Sequence, residues 1–507
     1  MNLRRILQLL LVSFLGQGIT IVTQLIIPPF FLRFYGNGIA VYGEWLVLSA
    51  SVGYLGTLNY GVQTYANNET TILFNRGDVE GAKIVQASAF RLLLLLLAAF
   101  ALIGVCGFFV PVASLLNLKQ VSSKAAALTI LLLALQIGLT MFFGMLTSSF
   151  MVIGRLHRGL YWASAQRFCG VLAMATAIVF RSSFPVLAGV QLFSFLVFLV
   201  VVFIDIRITA PVLLPSFRYG SWKNVASIIK PSFHFGILAL AGFLTWQGPV
   251  LVIVRVLGGG AVGVFGLVRV IFQMARQLLM IASSTISQDI TLLRGTEDWR
   301  VLRRLYDLSE RVVLFLTPIF TIGSLLIAPF IFTVWLHKRS VYDPLLCLLM
   351  AMVSAVLGIK EHKIQFQQSS NEHETLSVVM LTGYSIMLLI SVFVMHFFGL
   401  PGFMITWLAW EIILTAFVLR LNHDLFPPGY SVSVRPVVHL AIFMSVAFVF
   451  SGILAFRETS WPLDVVVVVA ACATALFGIA AYFVFGVGEI RTLLTARLKR
   501  RFAPSTG

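Results

Sequence analysis

Charged side chains are scarce in this sequence: Asp, Glu, Lys and Arg make up 11% of its 507 residues, whereas 59% are hydrophobic. A soluble globular protein carries roughly 25% charged residues, so a water-facing surface could not be built from this chain. The long apolar runs do not alternate with polar residues, which excludes a membrane β-barrel. The composition therefore predicts an all-α polytopic membrane protein.

Cysteine is also scarce, and the four cysteines lie in apolar segments without C-x-x-C spacing. This excludes a disulfide framework and a zinc-finger-type site. The acidic residues and histidines between 361 and 374, in a predicted cytoplasmic loop, lack the regular spacing of a metal site. We expect no metal ligands, no catalytic residues and no cofactor.

Apolar stretches of about 20 residues, enough to cross a bilayer, recur along the whole chain. Charges and turn residues separate about fourteen predicted spans, and the connections are too short to hold a folded domain. The spans are predicted at 7–33, 43–66, 84–110, 125–150, 161–180, 184–204, 231–256, 262–288, 309–335, 342–360, 376–397, 400–420, 436–456 and 463–486.

The basic excess, 36 Lys and Arg against 19 Asp and Glu, is explained by orientation. If both termini are cytoplasmic, Lys and Arg concentrate in the cytoplasmic segments, as the positive-inside rule requires. Nucleic acid is therefore not an expected partner. The basic tail, residues 489–507, is expected to bind anionic membrane lipids.

An internal repeat divides the chain. Span one and span seven each lead into a Gly-rich turn that closes on an aromatic–Gly pair, Tyr42-Gly43 and Phe265-Gly266. Six spans per half give a parallel repeat. The predicted domains are an N-terminal six-helix lobe (1–210), a cytoplasmic linker (211–229), a C-terminal six-helix lobe (230–425), an extra helix pair (426–488) and the tail (489–507).

Arginines inside span eight are the leading candidates for a binding site. Arg269 and Arg276 are seven residues apart, so they lie on one helix face with Gln273 between them. A charge at the bilayer centre costs roughly 3 kcal/mol unless it is used or paired. We predict an anion-binding cavity wall; arginines satisfied inside the packed bundle are the alternative.

Further polar residues could face the same cavity. Span one carries a polar stripe that could line it or bond to a neighbouring helix: Ser13, Gln17, Thr20 and Gln24. Arg33 and Arg255 end spans one and seven, where they could join the cationic cavity or extend to the outer headgroups. Glu44 and Glu411 could carry a coupling proton or pair with an arginine.

The N-terminal residues resemble those of a known family. Residues 29–36 (PFFLRFYG), 41–45 (VYGEW), 53–61 (GYLGTLNYG) and 76–78 (RGD) are similar to the polysaccharide and O-antigen flippases of the multidrug/oligosaccharidyl-lipid/polysaccharide exporter superfamily. The resemblance is specific in motif over roughly residues 20–80. At the end of span two, Asn59 and Tyr60 replace the family's usual Asp, which weakens an ion-coupling role there.

The resemblance implies a function. Such a flippase passes an undecaprenyl-pyrophosphate-linked oligosaccharide from the inner to the outer leaflet of the bacterial inner membrane by alternating access, for cell-surface polysaccharide synthesis. A polysaccharide polymerase and a chain-length regulator would be its partners. The alternatives are a multidrug or organic-cation exporter of the same superfamily, and a membrane polysaccharide polymerase or ligase. The deep charges favour an anionic substrate, and the outer loops carry no cluster suited to an enzyme.

Overall fold

The computed structural model describes residues 23–56, 76–153, 155–214, 239–284, 298–336, 342–370 and 374–485, with scattered single positions between them. Ser13, Gln17, Thr20 and the tail lie outside these residues. The described chain is helical and contains no strand. Its labelled helices are α1 Gly38–Gly53, α2 Val79–Cys106, α3 Ser123–Val152, α4 Leu156–Val179, α5 Phe184–Thr209, α6 Gly248–Leu257, α7 Gly259–Ser284, α8 Trp299–Leu336 and α9 Pro344–Ser369.

The helical stretch Glu374–Leu425 contains two helices, because Gly399 adopts φ 58° and ψ −146°, which breaks the helix. We call residues 374–398 α10 and residues 400–425 α11. Glycine adopts a positive φ at little cost, and the break falls between the predicted spans 376–397 and 400–420. Helices α12, Arg435–Arg457, and α13, Leu463–Phe485, are the last helices of the described residues.

The helices match the predicted all-α membrane architecture. Eleven helical stretches are long and apolar enough to span a bilayer, and Glu374–Leu425 is counted as one of them. The shorter apolar helix α1 and the helical residues 23–34 lie where the first two spans were predicted. The fold class read from the sequence is confirmed.

Several helices begin at residues that bind the unpaired backbone N–H groups of the first turn. The Asp78 carboxylate accepts the Gly81 N–H at 2.8 Å at the start of α2. The Asp343 carboxylate accepts the N–H groups of Leu345 and Leu346 at 2.9 and 3.1 Å. Pro344 follows at the first position of α9, where a missing N–H costs nothing.

The chain folds into two compact units, Met1–Gly266 and Leu267–Gly507. Helix α7 begins in the first unit, where its first turns pack against α1 backbone to backbone. A Cβ on Gly43 would lie 1.9 Å from the Gly259 carbonyl oxygen, and a Cβ on Gly263 would lie 2.3 Å from the Ile39 oxygen. The Gly-rich turns predicted as matching repeats therefore also serve as a contact surface. The predicted domain boundaries stay a prediction.

Because of this backbone contact, adding one methyl group at Gly43 is expected to lower the stability of the protein strongly. Gly43→Ala is expected to lower the free energy of unfolding by about 3 kcal/mol, because backbone atoms cannot move aside as side chains do. Gly53→Ala is the matched control on the same helix, since its Cβ would meet only side-chain atoms, the nearest being Phe243 Cε2 at 3.4 Å and Gln247 Cγ at 3.7 Å. The two variants should be compared by SDS titration of the purified protein. Equal stabilities would show that α1 and α7 do not pack this closely.

One predicted boundary is wrong in a way that matters for the site. The tenth span was expected to end at Lys360, with the following residues in a cytoplasmic loop, but α9 continues to Ser369. Lys360, His362 and Lys363 are buried, and Glu361 is 19% exposed. Hydropathy assigns four consecutive polar residues to a loop, whereas here they lie inside a helix.

Candidate functional site

Arg276, the central residue of the predicted anion-binding face, is buried on α7. Its Nη1 donates a hydrogen bond to Glu361 Oε1 on α9 and lies 3.0 Å from the Met280 sulfur. Gln273 and Arg269 lie about one and two turns earlier on α7, respectively, and both are partly exposed. In this conformation the charge of Arg276 is balanced by the carboxylate of Glu361, a residue that hydropathy assigns to a loop.

The segment Lys360–Lys363 joins α9 to four other helices, α7, α8, α10 and α11. Lys360 pairs with Glu411 of α11 and donates to the Tyr384 hydroxyl of α10 at 2.5 Å. Lys363 pairs with Glu310 of α8, and Glu361 with Arg276 of α7. Each of these six charges has an oppositely charged partner, so the three ion pairs connect the helices without adding net charge.

Glu411 therefore has several partners. Its carboxylate also accepts the Tyr384 hydroxyl at 2.7 Å and the Trp407 indole N–H at 2.9 Å. Its ion-pair partner is a lysine, where the sequence analysis had considered an arginine. Its role in ion coupling stays a prediction.

Glu44 binds a loop. Its carboxylate accepts the backbone N–H of Lys119 at 2.6 Å and that of Gln120 at 2.9 and 3.0 Å. Asn117, in the same loop, donates to the Val254 carbonyl near the end of α6 at 3.1 Å. Glu44 thus anchors the loop between α2 and α3 to α1.

The remaining predicted residues are spread over the first unit. Arg33 and Arg255 are exposed near helix ends, and Gln24 is partly buried in the N-terminal helical segment. None of the three lines the cavity described next, although Thr23, beside Gln24, does.

The first unit encloses a cavity of about 410 Å³. Its lining is rich in amide and hydroxyl side chains and contains two phenylalanines. Its residues are Thr23, Ile27, Gln63, Gln136, Thr140, Phe143, Gly144, Thr147, Ala163, Gln166, Arg167, Gly170, Val171, Met174, Gln191 and Phe195. Among these described residues there is one charged side chain, Arg167, and no carboxylate.

Glycine makes room for part of this lining. A Cβ on Gly144 would lie 2.2 Å from the Gln63 amide nitrogen. The Gln63 side chain therefore packs against α3 at a position where any larger residue would clash with it. This close approach lets an amide from a distant part of the chain reach the cavity.

Arg167 is the functional candidate that sequence reasoning missed. It lies near the middle of the span His157–Val179, its side chain is exposed, and its Nη1 donates to the Gly16 carbonyl at 3.4 Å. An arginine at this depth is costly unless it faces water or a partner. The signal was available, since Arg167 lies inside predicted span five, but no pattern connected it to the glutamines of other spans.

No protein-family model and no curated protein matches the sequence. Solved structures do match. One, described as the lipid II flippase MurJ in an inward closed conformation, has a TM-score of 0.70 at 11% identity and covers 96% of this chain and 100% of its own.

Two structures described as a multidrug resistance MATE family transporter of the MOP superfamily also match. An inward-facing structure has a TM-score of 0.62 at 12% identity, covering 80% of this chain and 94% of its own. An outward-facing structure has a TM-score of 0.60 at 13% identity, covering 82% and 95%. This chain therefore shares the fold of these transporters.

Proposed function

We propose that this protein is a flippase that moves a polyprenyl-pyrophosphate-linked oligosaccharide from the inner to the outer leaflet of the bacterial inner membrane, for cell-surface polysaccharide synthesis. The fold supports a transporter, because it is shared with structures described as a lipid flippase and as exporters. Its relatives in fold have been solved facing inward and outward, which supports alternating access. Both termini are cytoplasmic in this proposal.

The observation that carries the proposal is the charge of the first unit's cavity: one arginine and no carboxylate among the residues that line it. An organic-cation exporter would require an acidic side chain available to its substrate. Four carboxylates inside the spanning helices are already paired with basic side chains: Asp205 with Arg158, Glu310 with Lys363, Glu361 with Arg276 and Glu411 with Lys360. The charge distribution thus favours an anionic or neutral polar substrate over a cation.

The pyrophosphate is proposed to bind the α7 face of Arg269, Gln273 and Arg276. A guanidinium donates several hydrogen bonds in a planar fork that matches phosphate oxygens. Arg276 would exchange its bond to Glu361 for bonds to phosphate, so Glu361 holds the arginine in place between transport cycles. Arg33 and Arg255 are proposed as outer contacts of the same substrate, and no enzymatic step is involved.

Flipping by the purified protein in liposomes tests this function. The pyrophosphate carries about two negative charges, so a potential of 100 mV, positive on the destination side, supplies about 4.6 kcal/mol for outward movement. We expect a potassium diffusion potential to drive the lipid-linked glycan across without a pH gradient. Accessibility of the glycan to an external lectin measures the movement, with protein-free liposomes as control.

Glu44→Gln should keep most of this activity, because a glutamine oxygen can still accept the N–H groups of Lys119 and Gln120. Absence of flipping under either gradient would exclude the flippase function. Flipping that follows a pH gradient, ignores potential and is lost in Glu44→Gln would instead establish proton antiport.

A further inference from the structure

The cavity in the first unit holds hydrogen-bonding groups that are not consumed by the fold. Gln136 Oε1 is buried and accepts no hydrogen bond from the described residues. The Gln191 amide nitrogen lies 2.7 Å from the Met174 sulfur, which is a weak acceptor. These two amides, on α3 and α5, can therefore donate to and accept from a ligand.

Aromatic rings stand beside these amides. Phe143 and Phe195 line the same cavity with their ring centroids 6.0 Å apart and their planes at 87°. The negative face of an aromatic ring attracts C–H bonds that carry a small positive charge. A pyranose ring has hydroxyl groups at its edge, which suit amides, and C–H bonds on its faces, which suit phenylalanine.

The charge and the volume of the cavity further limit the classes of ligand that it can bind. A pyrophosphate with about two negative charges calls for several cations, and the described lining offers only Arg167. The volume of about 410 Å³ lies at the lower end of the range of roughly 300–1,000 Å³ for small-molecule sites, which suits a short saccharide and excludes a long polymer.

We propose that this cavity is a glycan-binding subsite, which takes sugar residues of the transported molecule through Gln136, Gln191 and Arg167. This inference rests on the proposed flippase function and adds where the sugar is recognised. The phosphates stay assigned to Arg269 and Arg276 of α7.

The first test fills the cavity. A Cβ on Gly170 would meet only the side-chain atoms Gln166 Nε2 and Ser194 Oγ, both at 3.5 Å, so Gly170→Val adds bulk to the lining without a backbone clash. Gly189→Val on α5 is the matched control, because its Cβ would also have room, with Leu132 Cδ1 at 4.0 Å, and Gly189 does not line the cavity. Binding is measured by calorimetry with the water-soluble oligosaccharide released by mild acid from the host strain's lipid-linked intermediate.

We expect wild type and Gly189→Val to bind this oligosaccharide equally and Gly170→Val to bind at least about tenfold more weakly. Gln136→Leu and Gln191→Leu should each weaken binding about five- to tenfold, since each removes a hydrogen-bonding group, whereas Gln365→Leu in the second unit should not. Inorganic pyrophosphate should not compete.

Equal binding by Gly170→Val and Gly189→Val would overturn the subsite. Competition by pyrophosphate would also overturn it, because the cavity would then be a phosphate site. The liposome assay separates this result from the function itself. If the wild-type protein flips the lipid-linked glycan but does not bind the free oligosaccharide, the subsite is wrong and the flippase function stands. If it binds the oligosaccharide but does not flip the lipid-linked glycan, the flippase function is wrong and the binding site stands.

Discussion

Replacing Arg276 by alanine is expected to abolish flipping of the lipid-linked glycan, because the variant loses the buried guanidinium that is proposed to bind the pyrophosphate. Arg276→Lys should retain part of the activity, since lysine keeps the charge and loses the planar fork. Arg269→Ala should reduce flipping in the same direction. Initial rates of flipping in liposomes, normalised to reconstituted protein, measure all three.

The ion pair of Arg276 with Glu361 means that Arg276→Ala can lower stability as well as activity, and a second substitution at Glu361 separates the two effects. Arg276→Ala alone leaves the Glu361 carboxylate without its arginine, so the protein is expected to be less stable as well as inactive. The double variant Arg276→Ala/Glu361→Gln removes both charges. We expect it to recover the wild-type protein level in the membrane and to remain inactive.

The single variant Glu361→Gln completes a double-mutant cycle with Arg276→Ala and the double variant. It keeps Arg276, and a glutamine oxygen can still accept a hydrogen bond, so flipping should continue at a substantial rate. If the double variant flips as well as Glu361→Gln does, Arg276 serves only to balance a buried carboxylate, and the anion-binding face on α7 is wrong.

The spans could be predicted from the sequence because the signal is local. An apolar run of bilayer length forms a helix whatever surrounds it, since every backbone group must be satisfied inside the segment. The break at Gly399 was local too, and it falls between two predicted spans. The boundary at Lys360 failed because the partners that allow Lys360 and Lys363 to be buried, Glu411 and Glu310, lie about 50 residues away in the chain.

The candidate sites could be predicted only where their residues lie on one helix. A helical wheel relates Arg269 to Arg276 because both lie on one helix, but it carries no information about Glu361. The cavity of the first unit combines Gln136, Arg167 and Gln191 from three helices, and each residue alone is an ordinary polar interruption of an apolar run. The repeated Gly-rich turns were visible in the sequence, whereas the backbone contact of Gly43 with Gly259 required the fold.

The buried pair of Lys360 and Glu411 predicts a large effect on the free energy of unfolding. Lys360 is 1% exposed and Glu411 is not exposed, so neither charge can be solvated if its partner is removed. Lys360→Met fills a similar volume and leaves the carboxylate with only the Tyr384 hydroxyl and the Trp407 N–H. We expect a loss of about 3 kcal/mol in the free energy of unfolding, measured by SDS titration.

A second substitution decides whether the loss of stability in Lys360→Met comes from the unpaired charge of Glu411. In Lys360→Met/Glu411→Gln both charges are gone, and the glutamine oxygen can still accept from Tyr384 and Trp407, so most of the lost stability should return. Glu372→Gln is the matched control. Glu372 is 54% exposed and pairs with Arg294 at 2.9 Å, and breaking such a surface pair should cost at most about 1 kcal/mol. If the double variant is as unstable as Lys360→Met, the ion pair is not what makes Lys360 necessary, and its contact with the Tyr384 ring, 5.0 Å from the ammonium to the centroid, accounts for the loss.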